Sequence, residues 1–147
     1  MKMFGVFSFQ SVAISRDQNG YLCYRVEAML KDAATRHSAV EQGGAIHATE
    51  RAILAVFESW RRRYYPRWPK CRLHTRIIDE NGLKVIQATA STSRGRFKTI
   101  RQSQPLPTVD PRQVGDVVYQ AVSSLYEEVW TTEQIPKPTR AELALAV

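Results

Sequence analysis

One short motif occurs twice at a fixed distance and constrains the fold more than any other feature of the chain. The motif is D-x-N-G, at residues 17–20 and again 62 positions later at 79–82. Asn-Gly between two strand-like runs is the strongest short-range signal for a β-hairpin, because both residues tolerate positive φ. The same shift superimposes apolar positions of two helix-like segments, laying Ala52, Val56 and Trp60 on Val114, Val118 and Val122. The chain is therefore predicted to contain one structural unit twice.

Each unit is predicted to consist of three strands followed by a helix. The strand patterns cover residues 4–15, 21–31, 35–40, 71–78, 83–91 and 97–102. One helix with an apolar face follows Gly43 and Gly44 and continues to Trp60. The other has Asp110 as its N-cap, begins with proline at 111, and runs to about residue 130. The predicted fold class is α+β: two βββα repeats, with an antiparallel three-stranded sheet covered by a helix in each.

The two repeats, 4–60 and 71–130, are expected to form a single domain over residues 1–130. A chain of 147 residues can bury a core without disulfides or structural metals. Residues 131–147 contain two prolines and few large apolar side chains, which predicts a flexible tail.

Cysteine and histidine spacing argues against several classes of protein. Cys23 and Cys71 stand alone, so neither a zinc site nor a disulfide framework is indicated, and a reduced, cytoplasmic setting fits best. His37, His47 and His74 follow no metal-binding or nucleophile motif. No run approaches the ~18 apolar residues of a membrane span. We therefore expect no cofactor, no metal, no catalytic residue and no membrane association.

The glycine pair before the first helix has two interpretations. Gly43 and Gly44 can form a tight turn and nothing more. Alternatively, they leave backbone N–H groups pointing outward at the helix start, where an anion binds well.

A basic segment rich in aromatic residues also has two interpretations. The net charge of +7 is concentrated at residues 61–72, where Trp60, Tyr64, Tyr65 and Trp68 alternate with Arg61, Arg62, Arg63, Arg67, Lys70 and Arg72. Cations for phosphates and aromatics for stacking bases would suit RNA. The same residues also suit a solvated connection between repeats whose aromatic side chains cover a sheet edge.

With the repeat established, the chain resembles the C-terminal regulatory domain of 2-isopropylmalate synthases and citramalate synthases over residues 17–130. The similar segments are EQGGAIHATERAI at 41–53, YYPRW at 64–68 before the strand RLHTRIID, and the second helix VVYQAVSSLYEE. The first of these is similar to the family's opening of its first helix. It departs from the family at Gly43, Ala45 and His47, where asparagine, proline and aspartate are usual. RQVGD at 112–116 replaces the family's Asn-Ile-Ile-Glu-Ala pattern.

The resemblance implies a non-catalytic, homodimeric regulatory domain that binds an amino-acid effector near its helix starts. By resemblance, the ligand-binding residues are Gly43, Gly44, Ala45, Ile46 and His47, and the ligand is a branched-chain amino acid. The alternative interpretation of His47 is a partly exposed histidine in the first helical turn that contacts no ligand. A detached module of this kind would bind the effector or dock on a partner protein. The alternative is a basic adaptor that binds RNA or an acidic protein through residues 60–72.

Overall fold

The secondary-structure elements follow one another in the order βββα-βββα. The computed structural model describes residues 4–134. The first repeat comprises β1 (Val6–Arg16), β2 (Leu22–Lys31), β3 (Arg36–Gly43) and α1 (Ala45–Tyr64). The second comprises β4 (Cys71–Glu80), β5 (Leu83–Thr92), a 3₁₀ turn (Ser93–Gly95), β6 (Lys98–Gln102) and α2 (Pro111–Gln134). The prediction of an α+β fold with two βββα repeats is confirmed.

Each repeat contains an antiparallel meander, β1-β2-β3 or β4-β5-β6, and both D-x-N-G motifs form hairpin turns. The backbone φ is 83° at Gly20, 51° at Asn81 and 83° at Gly82, in the region that Asn and Gly tolerate. In the first turn, Asp17 Oδ1 accepts hydrogen bonds from the backbone N–H groups of Asn19 and Tyr21 at 2.8 and 3.0 Å. The turns join the first two strands of each sheet at the predicted places.

One hydrophobic core serves both repeats. The sheets contribute inward-facing residues of their central strands, Val26, Ala28, Leu30, Ile86, Ala88 and Ala90. The helices contribute their apolar stripes, and the rings of Phe57 on α1 and Tyr126 on α2 stack with centroids 6.0 Å apart. Fully burying one large apolar side chain stabilises the fold by about 1.5–3 kcal/mol.

The first strand of each repeat also contacts the helix of the other repeat. Helix α1 packs on β2 and β3 and contacts β4, while α2 packs on β5 and β6 and contacts β1. The two helices contact each other as well. The contact between β4 and α1 places the middle of β4 near the start of α1, where the candidate site lies.

Three element ends differ from the prediction. Strand β3 continues to Gly43, so this glycine belongs to the sheet and Gly44 alone precedes the helix. Helix α1 continues past Trp60 to Tyr64 and includes the three consecutive arginines. Helix α2 continues to Gln134, which takes in the first four residues of the predicted tail, and the rest of that tail lies outside the described residues. No helix within residues 4–134 is long and apolar enough to cross a membrane.

Candidate ligand site at the start of the first helix

The start of α1 carries no side-chain cap. Gly44 is the N-cap residue, with φ −62° and ψ 157°. The backbone N–H groups of Ala45, Ile46 and His47 lie in the first turn, where no intrahelical carbonyl is placed to accept from them. That turn contains no acidic residue. The exposed donors and the positive end of the helix dipole therefore favour an anion at this position.

A cavity of about 820 Å³ lies at this helix start. Its walls come from the first turns of α1, from the β1–β2 hairpin with the beginning of β2, and from the middle of β4. Four predicted ligand residues line it: Gly44, Ala45, Ile46 and His47. The fifth, Gly43, lies in β3 opposite Tyr24, and a Cβ atom added to it would lie 3.1 Å from the Arg51 guanidinium. The structure thus brings together four of the five residues.

Two buried polar groups in the cavity wall have no protein partner. Glu50 Oε2 and Thr75 Oγ1 are both inaccessible to solvent and form no hydrogen bond within the described residues. Thr75 is only 8% exposed. Leaving a buried polar group unpaired costs about 1–3 kcal/mol, and native proteins usually avoid it. Both residues line the cavity, and a ligand with hydrogen-bond donors could reach these two atoms after their side chains rotate toward it.

The rest of the wall is mainly apolar, with a positive charge near the hairpin and the exposed His74 on β4. Arg16 contributes the charge, and its Nη1 donates a hydrogen bond to the Gly20 carbonyl at 2.8 Å. Tyr21, at the hairpin, is 71% exposed. The apolar lining consists of Leu22, Tyr24, Ile46 and Leu73.

The sequence-based prediction covered one wall of this cavity and missed the other two. His47 is exposed, as one of its two interpretations expected, and it also lines the cavity. Thr75 was missed although a signal existed, because β4 alternation puts it on the same face as Leu73. Glu50 had no comparable signal, since its role depends on how closely β4 approaches α1.

The basic residues of the arginine-rich segment comprise one that is buried, Arg61, and five that are exposed. Arg61 is 5% exposed, and its guanidinium donates to both Glu58 carboxylate oxygens at 2.6 and 2.9 Å. It also donates to the carbonyls of Pro66 and Trp68 at 3.0 and 2.7 Å. The hydrogen bonds from the Arg61 guanidinium lower the pKa of Glu58 below its ordinary value. Arg61 therefore holds the end of α1 against the following loop and is not available to a partner.

The aromatic residues of the same segment also face the protein. Trp60 and Trp68 are buried, and Tyr65 stacks on Trp68 with ring centroids 3.8 Å apart. The Tyr64 hydroxyl donates to Asp32 Oδ2 at 2.9 Å. Trp60, Tyr65 and Trp68 are therefore not free to stack on bases, whereas Tyr64 is 38% exposed. The remaining basic residues of the segment are exposed: Arg62, Arg63, Arg67, Lys70 and Arg72.

His37 and Cys71 have side chains of types that are often reactive, and both lie outside this cavity. His37 is buried, with Nδ1 2.7 Å from Ser59 Oγ and Nε2 3.0 Å from Thr35 Oγ1, and it links β3 to α1. Burial raises the pKa of the Cys71 thiol to about 12, so this thiol stays protonated at neutral pH and is a poor nucleophile.

No protein-family model matches the chain, and no curated protein matches its sequence. In the part of the chain that the structure describes, no group of three or more His, Cys, Asp or Glu side chains is arranged to hold a metal ion. The function is therefore inferred from the cavity at α1 and from its chemistry.

Proposed function

We propose that the chain is a non-catalytic, homodimeric sensor domain that binds a small amino-acid-like ligand in the cavity at the start of α1. One observation carries this proposal: an uncapped helix start shares a cavity with Glu50 and Thr75, and each of these residues has a buried oxygen atom, Oε2 and Oγ1, that lacks a protein partner. The resemblance to synthase regulatory domains implies a ligand at the same helix start.

The α-carboxylate of the ligand would bind at the first turn of α1. Backbone N–H groups of Ala45, Ile46 and His47 supply the donors, and the helix dipole adds a favourable potential. Arg16 adds positive charge in the cavity wall. A carboxylate is favoured over a neutral group because no acidic side chain lies in the first turn.

The ammonium group of the ligand would bind Glu50. An ammonium has three donors and no acceptor, and it suits a carboxylate oxygen that lacks a partner. The Thr75 hydroxyl would accept another of its N–H groups. Leu22, Tyr24 and Leu73 would then contact an aliphatic side chain, which favours a branched-chain amino acid.

A second copy of the chain would complete the site. Tyr21, 71% exposed at the hairpin in the cavity wall, gives an aromatic surface that a partner copy would cover. Ligand binding would then strengthen the dimer or its docking on a partner protein, because binding and association share one interface.

The direct test is a thermal-shift panel of the twenty amino acids, followed by calorimetric titration of wild type and Glu50→Gln. A ligand of the folded state raises the melting temperature, with about 2.7 kcal/mol of stabilisation at a concentration of 100 Kd. We expect leucine, isoleucine or valine to do so. Glu50→Gln removes a charge-assisted hydrogen bond worth about 1.5–3 kcal/mol and should weaken binding roughly ten- to hundredfold.

Glu128→Gln is the matched control, because it removes the same charge from an exposed position on α2. It should bind like wild type. Sedimentation equilibrium with and without the ligand then tests the dimer. The proposal fails if no amino acid stabilises the protein, or if Glu50→Gln binds with wild-type affinity.

A further inference from the structure

The second sheet has one face packed on α2 and another that faces outward. Ile86, Ala88 and Ala90 of β5 are buried on the inner face, and Thr99 of β6 donates a hydrogen bond to the Ala121 carbonyl of α2 at 2.6 Å. Side chains alternate between the two faces of a strand. The residues between these positions therefore point away from α2 and form what we call the outer face of the β4-β5-β6 sheet.

This outer face carries cations and neutral polar groups around one apolar side chain, Ile100, which is 46% exposed. Arg72 and Arg76 lie on β4 and Lys98 on β6, and all three are exposed. Between them, Gln87, Thr89 and Ser91 of β5 supply amide and hydroxyl groups. The outward positions from Arg72 to Arg76, from Gln87 to Ser91 and from Lys98 to Gln102 include no Asp or Glu, and the acid of this face, Glu80, lies at the far end of β4.

The three cations are held at a defined spacing and lack acidic partners. Within the described residues, none of Arg72, Arg76 and Lys98 forms an ion pair. The Arg76 Nε group donates to the Gln87 side-chain oxygen at 2.8 Å, which orients it on the sheet. Arg72 and Arg76 are about 13 Å apart along β4, at about 3.3 Å per residue. Lys98 lies two strands away from Arg72, about 10 Å across the sheet.

Positive charge is concentrated in the part of the chain that contains the end of α1, the loop after it and this sheet. Residues 61–101 contain twelve Lys and Arg against two acids, a net charge of +10, while the rest of the chain contains nine against twelve, a net charge of −3. The first sheet differs on its corresponding face. There Arg25 pairs with Glu27 at 3.9 Å, so an acidic side chain lies among the cations of that face.

From this geometry we infer that the outer face of the β4-β5-β6 sheet binds the phosphate backbone of duplex nucleic acid. Cations on a flat surface, with neutral hydrogen-bond donors between them, suit a dense and regular row of negative charges. The spacing of the β4 arginines is close to the ~12 Å width of a major groove. A single strand is disfavoured, because single-strand binding relies on exposed aromatic platforms and the Trp and Tyr rings next to this sheet pack inward. The inference is independent of the proposed ligand site.

Fluorescence anisotropy with a labelled mixed-sequence duplex of about two helical turns tests this inference. Three phosphate contacts predict a plot of log affinity against log salt with a slope of about −2.7 between roughly 50 and 200 mM salt. The variant Arg72→Gln/Arg76→Gln/Lys98→Gln should bind at least tenfold more weakly and lose most of that slope. Arg72→Gln alone should reduce the slope by about 0.9.

The matched control is Arg25→Gln/Lys31→Gln/Arg36→Gln, which removes three exposed cations from the outer face of the first sheet. It should retain binding, which shows that net charge alone is not the cause. Parallel DNA and RNA duplexes identify which backbone is preferred, and binding of either supports the inference. Equal loss in both triple variants would overturn it. Tighter binding of a single strand, or equally strong competition by polyglutamate or anionic vesicles at the same charge concentration, would overturn it as well.

Discussion

The two helices of the duplicated unit begin in different ways. At α2, Asp110 Oδ1 accepts a hydrogen bond from the Gln113 backbone N–H at 3.1 Å, and the Gln113 side chain accepts one from the Asp110 N–H at 3.0 Å. This reciprocal pair is a capping box. At α1, Gly44 has no side chain to bond with the first turn. One helix start is closed by its own sequence, and the other remains available to a ligand.

The same difference appears one turn further along each helix. Five residues after each N-cap lie Gly115 in α2 and Thr49 in α1. A Cβ atom on Gly115 would lie 2.9 Å from the Phe9 ring of β1, so glycine here allows the first strand to pack directly on α2. At α1, the strand from the other repeat is β4, which carries Thr75. The hydroxyls of Thr49 on α1 and of Thr75 both lack a hydrogen-bond partner within the described residues. An aromatic ring fills one contact, whereas polar groups line the other.

The comparison teaches that duplicated elements need not share a function. In the second repeat, a capping box and close packing on β1 stabilise the start of the helix. Repeat 1 has unpaired donors and acceptors at the equivalent place, which is costly for folding alone. Such local costs are typical of binding sites, where stability is given up for a ligand contact.

The largest effect is expected for Gly115→Leu. The added side chain collides with the Phe9 ring, and overpacking of this kind destabilises by about 1–3 kcal/mol. Urea unfolding followed by circular dichroism measures it. Thr49→Val, at the same distance from the N-cap of α1, is the control and should be neutral or stabilising, because its hydroxyl has no partner to lose. A Gly115→Leu protein with the wild-type midpoint would show that the β1–α2 contact is loose.

A smaller loss is expected for Asp110→Ala. Removing the N-cap carboxylate from the capping box should cost about 1 kcal/mol. Gly44→Ala, the corresponding change at α1, should alter stability by only a few tenths of a kcal/mol, since no side-chain cap is present there. Both values come from the same unfolding experiment. Equal effects at the two positions would remove the distinction between a closed and an open helix start.

The smallest change in stability, but an informative one, is expected for Gly44→Asp. Nothing lies within 4 Å of an added Cβ atom, and the backbone angles suit a capping residue, so the free protein should gain a few tenths of a kcal/mol. The new carboxylate would occupy the donors that the ligand needs. Calorimetric titration with the amino acid found in the panel should therefore show at least tenfold weaker binding. Wild-type affinity would mean that the ligand carboxylate binds elsewhere.

The site could be predicted in part because one of its walls is a local structure. Gly44 through His47 are adjacent in the chain, and a glycine before an amphipathic helix is visible in the sequence. Thr75 reaches the same cavity from β4; strand alternation places it on the same face as Leu73, but no local pattern reveals that this part of β4 lies next to α1. The arginine-rich segment was harder for the same reason. Whether Arg61 meets Glu58 and two carbonyls or a phosphate depends on where the loop after α1 folds back.

By itself, the sequence determined the two Asn-Gly turns, the duplicated order of elements and the capped start of α2. These features depend on backbone preferences and hydrogen bonds between residues at most four positions apart. Only the tertiary structure decided that Glu50 and Thr75 share a cavity, that Arg61 is buried, and that Arg72, Arg76 and Lys98 share one face. Those outcomes depend on strand register and on the contacts that the first strand of each repeat makes with the helix of the other repeat. Contacts between residues far apart in the chain form only when the whole core packs.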